Sequence, residues 1–137
     1  MRVIVDTNVV LDVLLARELF AEPASRIFAL AEQSKIEASL CAITVTTIHY
    51  LLTQSLPRDD ARRALRALLR LFEVAPVNRS VMEEALQSKI ADFEDAVVEQ
   101  AGRLSGAEAI ITRDVKDFRS SIVKALDPAE LLATMEA

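Results

Sequence analysis

Twenty-one Asp and Glu residues stand against 16 Lys and Arg, with a single histidine, His49, and a single cysteine, Cys41. The chemistry open to such a chain is that of carboxylates. Mechanisms needing two histidines are excluded, and zinc is disfavoured because it takes Cys and His ligands in number. A few acids stand out by context. Asp6 ends the apolar run Val3-Ile4-Val5, and Asp114 follows the run Ala109-Ile110-Ile111-Thr112. Asp95 falls in the first turn or so of the helix expected before that second run, and Asp117 lies three residues beyond Asp114. On that helix Asp92, Asp95 and Glu99 share a face by i, i+3 and i+4 spacing, with Glu94 roughly a quarter-turn away. Carboxylates converging in this way repel one another, so the cluster calls for a cation. Mg²⁺ or Mn²⁺ prefers oxygen ligands and keeps several waters. A pair of such ions activates a water and steadies the leaving oxygen of a phosphodiester. Taken singly, each acid also has a plainer reading. Asp6 is an N-cap or turn former, Asp95 complements a helix N-terminus, and Asp114 and Asp117 belong to a solvated loop.

The elements that must position these acids can be read from the same chain. Short β-branched runs suit strands buried on both faces of a parallel sheet. In such sheets ligands bind at the carboxyl edge of the strands, where Asp6 and Asp114 stand. Helices are expected over residues 9–15 and 22–34, and a second strand over residues 36–42. The next helix carries Ile48, Tyr50, Leu51 and Leu52, with Thr44 as a candidate cap. Residues 59–72 read as a helix with an apolar stripe of Ala61, Ala64, Leu65, Leu68, Leu69 and Phe72. Residues 74–77 are short and extended, with Pro76 favouring a sheet edge. Ser80 to Glu83 reads as a capping box, and a further helix runs from near Asp92 to Leu104, closed by Gly106. A last strand is expected in Ile122 to Leu126, before a terminal helix opened by Asp127-Pro128-Ala129-Glu130. Strands alternating with helices predict one three-layer α/β/α domain over residues 1–137, with a mostly parallel sheet.

Composition agrees: 52% of residues are apolar, and glycine is scarce. The net charge of −5 argues against general charge-driven nucleic-acid binding, but not against an enzyme that gathers carboxylates around metal. No apolar stretch approaches the roughly 18 residues that span a bilayer. No secretion signal opens the chain, and the lone Cys41 reads as a small buried hydrophobe, so a reducing cytoplasm is expected. His49, in an apolar helical stretch, reads as structural. Arg62, Arg66 and Arg70 recur on one helix face and read first as solvated. Arg113, Lys116 and Arg119 flank the acidic edge and are better placed than that trio to hold phosphates.

The opening VIVDTNVVLDVLL and the segment DFEDAVVEQAGRLSGAEAIITRDVKDF, in this order and separation, resemble the PIN-domain family, including its VapC-type ribonuclease toxins. That resemblance covers essentially the full length. It implies Asp6, Asp95 and Asp114 as catalytic metal ligands, Asp117 as an accessory acid, and Asn8 and Thr112 as hydrogen-bonding supports. It implies a Mg²⁺- or Mn²⁺-dependent endoribonuclease and a homodimer. For a toxin it also implies a small antitoxin protein that blocks the acidic cleft. One family element departs: Thr47 stands where many PIN nucleases carry a glutamate, so Asp117 or Glu94 would have to substitute, or the metal binds weakly. The alternative is a PIN-like interaction module in RNA metabolism with little or no catalysis. A haloacid-dehalogenase phosphatase is disfavoured because Asn8 stands where a second aspartate is usual. A receiver domain is disfavoured because the second strand ends in Cys41-Ala42 with no phosphoacceptor.

Overall fold

The computed structural model describes residues 1–136. Their order is β1 (Arg2–Val5), α1 (Thr7–Leu14), α2 (Ala21–Glu32), β2 (Glu37–Cys41), α3 (Ala42–Leu52), α4 (Arg58–Leu71) and β3 (Glu73–Ala75). There follow α5 (Arg79–Leu86), α6 (Phe93–Leu104), β4 (Ala109–Ile111), a 3-10 turn (Val115–Phe118), β5 (Lys124–Leu126) and α7 (Pro128–Glu136). The strands form one five-stranded sheet in the order β3-β2-β1-β4-β5, and every pairing is parallel.

This order contains a reversal. The chain steps outward from β1 to β2 and β3, then returns to place β4 on the other side of β1. Crossovers on either side of β1 leave a crevice at the carboxyl ends of β1 and β4, the topological switch point of an open α/β sheet. Register sharpens the placement. Val3, Ile4 and Val5 pair with Ala109, Ile110 and Ile111, so the residues immediately after each run, Asp6 and Thr112, emerge side by side.

Alternation along β1 divides the core between two layers. Val3 and Val5 join Val9, Ile27, Leu40, Ile48 and Leu131 on one face, while Ile4 and Ile110 meet Ala96, Val97 and Ala101 of α6 on the other. Burying each such side chain contributes roughly 1.5–3 kcal/mol. Helix α6 lies especially close to the sheet: a methyl group on Gly102 would sit 2.9 Å from Ile4 Cγ2. Gly106 follows the end of α6 with φ of +84°, the left-handed conformation that glycine adopts without penalty.

Several local expectations are corrected. The cap of α5 is Asn78, whose Oδ1 accepts from Val81 N at 3.1 Å, so Ser80 lies inside the helix. Asn ranks with Ser as a cap, and here the earlier residue wins. Thr44 is not a cap either, because α3 starts at Ala42 directly after β2 and encloses it. Thr44 is buried, and its Oγ1 has no hydrogen-bond partner among the described residues. On α4, Leu69 is 49% exposed, so the buried stripe narrows to Ala61, Leu68 and Phe72. The polar loop after Asp114 winds into the 3-10 turn. Among the described residues, no helix is long and apolar enough to cross a membrane.

Candidate active site

Asp6 caps α1 and faces the switch point at once. Its Oδ1 accepts from Thr7 N at 2.9 Å, satisfying an orphan donor of the helix, while Oδ2 accepts from Thr112 Oγ1 at 2.8 Å. The carboxylate is buried. Burial raises its pKa above the ordinary value; the bonds from Thr112 and Thr7 oppose the shift, and the charges of Asp114 and Glu94 add to it.

Thr112 links both strands' ends. Besides donating to Asp6, its Oγ1 accepts from Asp114 N at 3.0 Å and from Asn8 Nδ2 at 3.4 Å. Asn8 completes the ring: Nδ2 also donates to Asp114 Oδ2 at 3.1 Å, and Oδ1 accepts from Arg113 N at 3.2 Å. Asp6, Asn8, Thr112 and Asp114 thus form one continuous network across the β1/β4 edge.

Asp95 approaches from the facing helix. Asp92 caps α6 by accepting from Asp95 N at 3.0 Å, which fixes the first turn. The half-buried Asp95 carboxyl is pushed up to about 7 by burial first, then by the charges of Asp6, Asp92, Asp117 and Glu94. A helix N-terminus ordinarily favours negative charge; here burial and the acids outweigh it. Glu94 reaches this group despite its quarter-turn offset, and its Oε1 lies 3.3 Å from Thr47 Oγ1. Glu99 goes elsewhere. It is buried and accepts from Ser88 Oγ at 2.6 Å, Gln100 Nε2 at 2.8 Å and Ile122 N at 2.9 Å. Burial pushes its pKa up, and these bonds outweigh that and lower it, so Glu99 ties α6 to the segment before β5.

A family model described as the PIN domain matches residues 2–116. The chain belongs to the PIN-domain family. Solved structures agree in fold with this PIN domain. A chain of VapBC2 from Rickettsia felis, bound to a DNA fragment from its promoter, is 13% identical, with 93% of this chain and 98% of that one covered at a TM-score of 0.71. A chain of FitAcB from Neisseria gonorrhoeae is 21% identical over 93% and 98%, with a TM-score of 0.73. A chain of a toxin–antitoxin complex from Klebsiella pneumoniae is 22% identical over 92% and 97%, with a TM-score of 0.70. No curated protein matches the sequence.

The cations of this PIN domain divide into groups. Arg113 turns away from the acids: its Nε donates to Asp12 Oδ2 at 2.7 Å and its NH2 group to Asp12 Oδ1 at 3.2 Å. Its guanidinium also lies 4.0 Å from the centre of the Phe20 ring, within cation–π reach. Asp12 is fully buried, with Arg17 as a second partner at 3.4 Å. Sequence reasoning missed Asp12, and the signal was there: a lone acid inside the apolar run VVLDVLL. Lys116 stays beside the acids. With Lys89, Arg119, Asp95 and Asp117 it lines a cavity of about 480 Å³. Lys89 is another residue that sequence reasoning missed, because it belongs to the connection between α5 and α6. Arg62 and Arg66 border a separate groove with His49, Val45, Leu65 and Leu69. Among the described residues, no three Asp, Glu, His or Cys side chains stand close enough to enclose a metal ion.

Proposed function

We propose that this PIN domain is a divalent-metal-dependent endoribonuclease, hydrolysing RNA phosphodiesters at the β1/β4 edge. The observation that carries the reading is the Asp6–Thr112–Asn8–Asp114 network facing Asp95, whose carboxyl is pushed to about 7 partly by the surrounding acids. Such mutual repulsion is relieved by a cation.

The donor set fits Mg²⁺ or Mn²⁺. Every group offered is a hard oxygen: Asp6, Asp95 and Asp114, with Asp117 and Glu94 beside them. An open arrangement suits Mg²⁺ in particular, which takes one or two carboxylates and completes its shell with water and substrate phosphate. When bound, the ion supplies charge neutralisation at the phosphate and a more acidic water. The protein's part is positional. Thr112 and Asn8 hold Asp6 and Asp114 in fixed rotamers, and the Asp92 cap holds Asp95 opposite them. Glu94 brings a carboxylate to the side of Thr47, where many PIN nucleases carry a glutamate.

Cleavage of structured RNA by the purified protein in Mg²⁺ or Mn²⁺, beside Asp6→Asn, is the test. Equal cleavage by both, or cleavage indifferent to chelator, rejects the reading. A second reading, an interaction module with little catalysis, is favoured by Thr47 itself, since a hydroxyl is a far weaker ligand than a carboxylate. Calorimetry showing no divalent-ion binding at millimolar concentration would select it. Structural likeness to chains from toxin–antitoxin complexes supports a toxin role with a small antitoxin partner, and the family supports a homodimer. Co-purification with the product of a short neighbouring reading frame tests the antitoxin, and sedimentation tests the dimer.

A further inference from the structure

Lys89, Lys116 and Arg119 converge on the cavity of about 480 Å³ that is also lined by Asp92, Asp95 and Asp117. The three come from the two segments that carry the acids: the approach to α6, and the 3-10 turn after β4 with its following residue. All three are exposed, and among the described residues none makes a salt bridge. Of the other thirteen Lys and Arg residues, seven, Arg113 included, are ion-paired among the described residues, and the unpaired Arg62 and Arg66 border a groove that holds no acid. Unpaired cations gathered beside acids in a chain of net charge −5 attract an anion that repeats. An acidic helix would also need apolar anchors, and the cavity offers only Ala91. Phosphates along an extended strand need none, and the cavity is of the size that takes a small ligand or a nucleotide.

We propose that Lys89, Lys116 and Arg119 hold the phosphates that flank the scissile bond, making this cavity the track by which a single RNA strand reaches the acids. The proposal rests on the endoribonuclease reading but is measured separately from it. Binding of a fluorescent single-stranded oligoribonucleotide is followed across a salt series in Mg²⁺, on the Asp6→Asn background so that the strand stays intact. Each phosphate held contributes about 0.7 to the slope of log affinity against log salt for single strands. Replacing all three residues (Lys89→Gln, Lys116→Gln, Arg119→Gln) is expected to lower that slope by about 2 and weaken binding about tenfold or more. Arg62→Gln with Arg66→Gln is expected to leave it unchanged. An unchanged slope in the triple variant, equal losses in both variants, or no binding at all overturns the proposal. Displacement of the strand by poly-glutamate at equal affinity overturns it in favour of an acidic protein partner. Failure of the nuclease reading shows only in the cleavage assay with the parent protein, and failure of the track shows in the salt slope. Circular dichroism confirms that the variants, altered only at exposed positions, stay folded.

Discussion

At the residue scale, one hydroxyl governs the geometry of two acids. Thr112 Oγ1 donates to Asp6 and accepts from Asp114 N and Asn8 Nδ2. Thr112→Val keeps the shape but removes all of these bonds and leaves the buried Asp6 Oδ2 unsatisfied. A loss of about 1–3 kcal/mol is expected by urea unfolding, with most of it restored by Thr112→Ser. Thr47 and Glu94 form the second informative pair. If Glu94 supplies the carboxylate that Thr47 lacks, Glu94→Gln should weaken Mn²⁺ binding by about tenfold, roughly 1.4 kcal/mol. Thr47→Glu combined with Glu94→Gln should recover affinity close to that of the parent, read by calorimetry without reference to activity. Loss of affinity in both variants alike would mean that the carboxylate cannot be moved between the two helices. Asp6, Asp95 and Asp114 were legible in the sequence as acids at element ends. The sequence offered Asp117 or Glu94 in place of the glutamate missing at Thr47 and did not show that Glu94 is the one that reaches it, because helical spacing orders residues around one axis and does not say which neighbouring helix each will meet.

At the element scale, the position of α6 decides where Asp95 stands, and Gly102 decides how close α6 comes to β1. A Cβ at Gly102 would meet the β-branched, fully buried Ile4 at 2.9 Å, with no flexible end to swing aside. Gly102→Ala is therefore expected to cost about 1–3 kcal/mol by overpacking, which chemical denaturation measures. Destabilisation would be relieved by Ile4→Val if the contact is the cause. A second tie acts through α1, where Arg113 is locked to the buried Asp12 on the far side of the loop from Asp114. Arg113→Met should cost about 3 kcal/mol, because removing one partner of a buried pair strands the other charge; Arg17 remains to soften the loss. The buried strands were readable because runs such as Val3–Val5 and Ala109–Ile111 are short, β-branched and abruptly ended. Caps were less readable. Asn78, Ser80 and Thr44 all have cap chemistry, and the choice among them depends on where α3 and α5 must leave the sheet, which is a tertiary matter.

At the scale of the whole molecule, the acids gathered where the sheet opens shift one another's protonation, and this gives stability a pH dependence of definite sign. Asp95 has a folded pKa of about 7, and Asp6 is also raised by its burial. An ordinary carboxyl titrates near 4 in the unfolded chain. The folded state therefore holds the Asp95 proton more tightly than the unfolded state between roughly pH 4 and 7, and Asp6 acts in the same direction. The Asp95 contribution is fully present below the ordinary value and is lost as pH rises through about 7. Glu99 acts in the opposite sense, since its folded pKa is lowered; its contribution is present above the ordinary carboxylate range and is lost only in stronger acid. Between pH 5 and pH 8 Asp95 should dominate, so the metal-free protein is expected to melt at progressively lower temperature across that interval. Asp95→Asn should flatten the dependence, since an amide neither titrates nor repels Asp6. Added Mg²⁺ should raise the melting temperature more at pH 8, where the acids are ionised, than at pH 5, where a proton already neutralises Asp95. Thermal melts at matched ionic strength, with EDTA or Mg²⁺, decide the matter. A melting temperature that climbs with pH in EDTA, or a Mg²⁺ effect larger at pH 5, would show that the acids do not share one electrostatic site.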